Sequence, residues 1–216
     1  AASDGAAGVA GFFDCLYVGR QAPLAVPGIR IAPGNGEHLQ AVLQGVLDEL
    51  APSVRWVVLS GSLPPGWPDD TYATLIRHAH AIGARVMLDT SGPALSRALA
   101  ASPEIIKPNR DELAEHLGRP LGTVTDIATA ARELLATHSG LRLVAVSMGR
   151  DGAVFVSPDA SFHAHPLDVA PISTVGAGDA MVAGVVAAQV DGLPLDGCAR
   201  LAYVGCHYAR SGRTAA

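Results

Sequence analysis

The sequence predicts an α/β protein, a three-layer parallel sheet with helices on both faces. Three observations carry this. Short unbroken apolar runs such as Trp56-Val57-Val58-Leu59 and Val86-Met87-Leu88 read as strands buried on both faces. Stretches of helical periodicity alternate with them, and that alternation builds a parallel sheet covered on both sides. Polar or glycine-rich segments follow several of the strands, and ligands gather at the carboxyl ends of the strands in such sheets.

The elements follow in order. Residues 1–36 are rich in Gly, Ala and Pro, hold one ambiguous apolar run, Phe12 to Val18, and are left unassigned as a segment. Residues 37–216 form the assignable domain. Leu39, Val42, Leu43, Val46, Leu47 and Leu50 share a helix face, which predicts a helix over 37–50. Strands are expected over 55–60, 85–89, 104–107 and 141–147. Helices are expected over 69–82, opened by an acidic pair and closed by Gly83, and over 93–101, 109–117 and 125–138. Residues 153–157 and 161–165 read as a hairpin, followed by helices over 178–190 and 195–209.

Composition narrows the function classes. Apolar residues make up 49% of 216, enough for a sizeable core. The net charge is −5 with no basic block, which argues against a nucleic-acid partner. No apolar run reaches membrane-spanning length and no signal peptide is evident, so no membrane partner is expected. Cys15, Cys198 and Cys206 lack metal-ligand spacing, and their usage fits a reducing cytoplasm. His78 with His80 and His163 with His165 read as solvated surface rather than metal ligands. Arginine occurs 14 times and lysine once, as Lys107, which draws attention to that residue.

The most informative stretch is Ser173-Thr174-Val175-Gly176-Ala177-Gly178-Asp179, which leads straight into an apolar helix. Small residues allow close approach of backbone N–H groups to an anion, and the helix start adds unpaired donors and partial positive charge. That combination makes a phosphate cradle. Asp179 at its rim is placed to take a proton from an attacking hydroxyl, and a cradle beside a base is the minimal equipment for phosphoryl transfer. A glycine-rich turn with an acidic helix start fits the same residues.

Three further segments follow strands. Ser60-Gly61-Ser62-Leu63-Pro64-Pro65-Gly66 offers two hydroxyls on a stiff backbone, suited to a small polar ligand or to a rigid loop. Lys107-Pro108-Asn109-Arg110-Asp111-Glu112 sets the lone lysine at a strand end. Asn109 and Glu112 have the spacing of a helix-capping box and also that of a pair holding water around magnesium. Ser147-Met148-Gly149-Arg150-Asp151-Gly152 is a tight polar turn into the hairpin. There is no G-x-x-x-x-G-K-[ST], no G-x-G-x-x-G after the first strand and no G-x-S-x-G, which excludes P-loop, dinucleotide and nucleophile-elbow readings.

Together with Asp89-Thr90-Ser91-Gly92, these motifs resemble, in order and spacing, the ribokinase-like carbohydrate kinases. The likeness is to their phosphofructokinase B branch, which includes 1-phosphofructokinases, 6-phosphofructokinases and tagatose 6-phosphate kinases, and it covers about residues 37–200. The resemblance implies a ribokinase-like fold and ATP-dependent phosphorylation of fructose 6-phosphate or fructose 1-phosphate. Asp179 is then the catalytic base and Gly176, Ala177 and Gly178 the anion hole. Lys107, Ser147, Gly149, Gly152 and Thr174 are nucleotide contacts. Asn109 and Glu112 organise magnesium and phosphate, through water. Ser60, Gly61 and Ser62 face the phosphosugar. The implied cofactors are ATP and Mg2+, with a monovalent cation as a further candidate, and the implied partners are ATP, the phosphosugar and, where a lid is present, a second subunit. Family members carry a longer amino-terminal part with the first βα units, a lid, a sugar-binding Asp and a Gly-Gly-rich stretch, none of which is found here. The expectation is therefore a truncated, carboxyl-terminal nucleotide-binding part without its lid. The alternative is a non-catalytic nucleotide-binding remnant.

Overall fold

A computed structural model describes residues 16–19, 23–26, 36–50, 54–63, 65–166 and 176–211. Strands β1 (Leu16–Gly19) and β2 (Pro23–Val26) form an antiparallel hairpin inside the segment that the sequence left unassigned, and β1 lies beside β3. The rest runs α1 (Gly36–Leu50), β3 (Trp56–Ser60), α2 (Thr71–Ala81), β4 (Arg85–Asp89), α3 (Gly92–Leu99), β5 (Ile105–Ile106), α4 (Arg110–Leu117), α5 (Val124–Thr137), β6 (Leu143–Ser147), β7 (Ala153–Val156), β8 (Ser161–Ala164), α6 (Ala177–Val190) and α7 (Leu195–Ser211).

Strands β3 to β8 form one six-stranded sheet in chain order. The first four are parallel, as the alternating pattern predicts, and the β7–β8 hairpin adds two antiparallel strands at the edge, so the sheet is mixed. Each parallel crossover steps the same way, and uniform crossover handedness puts the connecting helices α2 to α5 on one face.

Side-chain alternation along each strand divides the core in two. Val57, Leu59, Val86, Leu88, Ile106, Val144 and Val146 pack under the face carrying α1 to α5. Trp56, Val58, Met87, Ile105, Leu143 and Ala145 face α6 and α7. Helix α6 lies close on α7: a β-carbon added at Gly184 would stand 2.5 Å from the Ala202 Cα. Among the described residues no helix is long and apolar enough to cross a membrane.

Candidate functional site

The same alternation builds the site. On the α6/α7 face, the apolar positions of the four parallel strands give way at their carboxyl ends to Ser60, Asp89, Lys107 and Ser147. Each lies two residues beyond a core residue of that face: Val58, Met87, Ile105 and Ala145. Ser60 and Asp89 are register partners, and Asn109 bridges to Ser147. The result is a polar row across the sheet beneath the start of α6.

The contacts within the row are specific. Lys107 is only 6% exposed, and its Nζ lies 3.0 Å from Asp89 Oδ1. The Ser60 hydroxyl donates to Asp89 Oδ2 at 3.4 Å. A β-carbon built on Gly178 would stand 3.7 Å from Lys107 Nζ, so the ammonium sits against the first turn of α6. Burial pushes the Asp89 carboxyl up from its ordinary value; Lys107 opposes this, and the nearby negative charge of Asp179 adds to it. Burial likewise pushes Glu112 up, against the pull of the Asn109 N–H and Lys107. Asp89, Lys107, Glu112 and Asp179 therefore share one electrostatic neighbourhood.

The start of α6 has the geometry of a cradle. Gly176 caps the helix in the left-handed region at φ 77°, which glycine adopts without strain. Ala177 and Gly178 open the first turn, and Asp179 stands exposed beside them. Thr174 lies outside the described residues.

The other sequence-predicted residues fall around the row. Asn109 and Glu112 form the capping box of α4: Glu112 N–H donates to Asn109 Oδ1 at 2.9 Å and Asn109 N–H to Glu112 Oε2 at 2.8 Å. The box engages one oxygen of each side chain, which leaves Glu112 Oε1 outside it. Ser147 ends β6, Gly149 (φ 59°) opens a 3₁₀ turn over 149–151, and Gly152 (φ 90°) follows it. An ion pair between Arg110 and Asp151 ties that turn to the start of α4.

The segment 60–62 is divided in its exposure. Ser60 is buried and bonded to Asp89 rather than facing outward. The N–H of Gly61 donates to Asp89 O at 2.9 Å, and its carbonyl accepts from the Tyr72 hydroxyl at 2.8 Å. Ser62 is the exposed member.

His78 and His80 each meet a carboxylate, Asp48 at 2.8 Å and Glu104 at 3.3 Å. Among the described residues no cluster of three or more His, Cys, Asp or Glu side chains could hold a metal by itself. A cation here would share its coordination with water and phosphate. The donor set suits that: both oxygens of Asp89 are engaged, by Lys107 and Ser60, which leaves Glu112 and Asp179 as the carboxylates on offer, and magnesium favours a few carboxylates together with phosphate oxygens and water.

Asp89 is the residue to which the sequence reading gave no role. The available signal is a carboxylate at the last position of a buried apolar strand, on the parity of the face that α6 covers.

Residues 29–214 match the model of a family described as pfkB family carbohydrate kinase. A 1-phosphofructokinase of Xanthomonas campestris pv. campestris is 52% identical over 171 residues, covering 76% of this chain and 53% of that relative. A 1-phosphofructokinase of Rhodobacter capsulatus is 50% identical over 179 residues, covering 83% of this chain and 55% of that relative. The crystal structure of phosphofructokinase-2 from Escherichia coli in complex with fructose-6-phosphate superposes with a TM-score of 0.73 at 30% identity, over 88% of this chain and 61% of that one. The chain thus spans about half the length of the curated relatives it matches.

Proposed function

The chain belongs to the pfkB family of carbohydrate kinases, and from that premise we propose that it serves ATP-dependent phosphoryl transfer to a hydroxyl of a phosphorylated hexose, fructose 6-phosphate or fructose 1-phosphate. One observation carries the reading. The first turn of α6, whose leading amides have no acceptor within the helix, meets the buried Lys107 ammonium at Gly178, and Asp179 stands exposed at the same turn.

The roles follow from the chemistry. The amides of Gly176, Ala177 and Gly178 and the Lys107 ammonium receive the charge of the transferring phosphoryl group. Asp179 accepts the proton of the attacking hydroxyl; in a loose transition state that proton leaves late, so a carboxylate is base enough. The turn after Ser147, with Gly149 and Gly152, takes the nucleotide. Glu112 Oε1 and Asn109 would hold a magnesium ion through water, and the ion would supply neutralisation of phosphate charge. Ser62 faces the sugar. We place this activity in the cytoplasm.

A second reading, nucleotide binding without turnover, rests on the sugar side: in the segment 60–62 only Ser62 is exposed.

The test follows 31P resonances of ATP with magnesium and either fructose phosphate. The expected result is ADP and a sugar bisphosphate. Asp179→Asn is expected to keep ATP binding and to slow transfer by at least ~100-fold, the ordinary scale of lost general-base assistance. ATP binding without product in the wild-type chain supports the second reading, and no ATP binding at all overturns both.

A further inference from the structure

The buried pair of Asp89 and Lys107 does more than neutralise a charge inside the protein. Lys107 has three N–H donors on a flexible stem, and a lysine left to itself does not choose a direction. Its direction here is set by Asp89 Oδ1 at 3.0 Å, and Asp89 is in turn held by Ser60 Oγ at 3.4 Å on Oδ2 and by its own carbonyl, which accepts from Gly61 N–H at 2.9 Å. One donor is engaged by Asp89, and the ammonium is left facing the first turn of α6, against Gly178. The chain Ser60–Asp89–Lys107–Gly178 runs from the loop after β3 to the cradle, through the register pair at the carboxyl ends of β3 and β4.

We propose that Asp89 is the positioning residue that aims the Lys107 ammonium at the terminal phosphate in the α6 cradle, with Ser60 fixing Asp89. The proposal rests on the kinase reading above. It assigns Asp89 an effect that simple electrostatics opposes: removing a carboxylate from an anion site should tighten nucleotide binding, whereas removing the group that orders Lys107 loosens it. It also assigns the effect to one phosphate, because Lys107 meets α6 at the turn proposed to take the transferring group. A diphosphate that ends short of that turn is indifferent to Asp89.

The experiment uses the full chain with magnesium. ATP and ADP affinities are measured by calorimetry for wild type, Asp89→Asn, Lys107→Met and the double variant. In parallel, 15N-lysine labelling reports on Lys107 alone, since it is the only lysine. The expected results are an ordered side-chain ammonium signal in wild type that Asp89→Asn broadens or removes, and a loss of ATP affinity of about tenfold in Asp89→Asn, the size of one charge-assisted contact. ADP affinity changes less than about twofold. The double variant binds ATP no more weakly than Lys107→Met alone, because Asp89 acts only through the lysine. Asp89→Asn binding ATP as tightly as wild type or tighter overturns the proposal, and so does a double variant whose loss is the product of the two single losses. Lys107→Met with unchanged ATP affinity contradicts the phosphate role of Lys107 in the kinase reading, and the ammonium signal then decides separately whether Asp89 orders the lysine. Should Asp89→Asn fail to fold, Ser60→Ala removes only the hydroxyl on Asp89 Oδ2 and carries the same test, with an expected ATP-specific loss of about two- to threefold.

Discussion

Glu112 shows how a site residue trades stability for chemistry. Burial holds its carboxyl above the ordinary value of 4.5, so the folded state keeps the proton more tightly than the unfolded chain. Stability from this group is then fully present below the unfolded-state value and is lost as pH rises through the raised folded-state value. Glutamine keeps an acceptor for the Asn109 N–H and removes the titration. Glu112→Gln is therefore expected to resist urea better than wild type at about pH 7.5, with the advantage closing toward about pH 4. An advantage that does not change with pH would show that burial of the charge is not its source. The same variant is expected to weaken magnesium–ATP binding, since it removes the carboxylate charge offered by Oε1.

At the scale of the element, two helix starts do different work. Helix α4 is capped by its own side chains, and Asn109→Ala, which opens the box, is expected to cost about 0.5–2 kcal/mol in urea unfolding. Helix α6 starts at a left-handed glycine with no side-chain cap, so the donors of its first turn are not spent on one. Farther along, Gly184 lets α6 approach α7: a β-carbon would lie 2.5 Å from Ala202 Cα and 2.9 Å from Ala202 N, both backbone. Gly184→Ala is expected to lower stability by about 1–3 kcal/mol despite alanine's better helix propensity, because backbone cannot move aside as a side chain can. Calorimetric melting checks this, and an unchanged or raised Tm would contradict it.

The elements from α1 onward were legible because their signals are local. Apolar runs mark the strands, Asn109 and Glu112 mark a capping box, and Gly83 and Gly118 mark helix ends in the left-handed region. The hairpin β1–β2 was not legible, since Gly, Ala and Pro around it mask any period of two. The α6 cradle and Lys107 stood out by motif and rarity. Asp89 did not, because its meaning depends on register. Only when β4 lies beside β3 and next to β5 does its carboxylate meet Ser60 on one side and Lys107 on the other. The burial of Ser60 was missed for the same reason: from the sequence alone it is one more hydroxyl in a loop.

On the scale of the whole molecule, the six-stranded sheet lies between two apolar layers, with the site where both layers end. Because the strands belong to both cores, the layer of α6 and α7 cannot melt without uncovering Trp56, Met87 and Phe155 of the sheet itself. Trp56 fluorescence, read in a chain carrying Trp67→Phe, and far-ultraviolet circular dichroism are expected to report one coincident urea transition. Separate transitions would mean that the α6–α7 layer, and the cradle with it, opens independently of the sheet. The central claim, that the start of α6 grips the terminal phosphate of ATP, is tested most directly by the backbone amide resonances of Gly176, Ala177 and Gly178 during titration with magnesium–ATP and, separately, AMP. These amides are expected to shift strongly with ATP and little with AMP. Saturable ATP binding that leaves all three unmoved would contradict it.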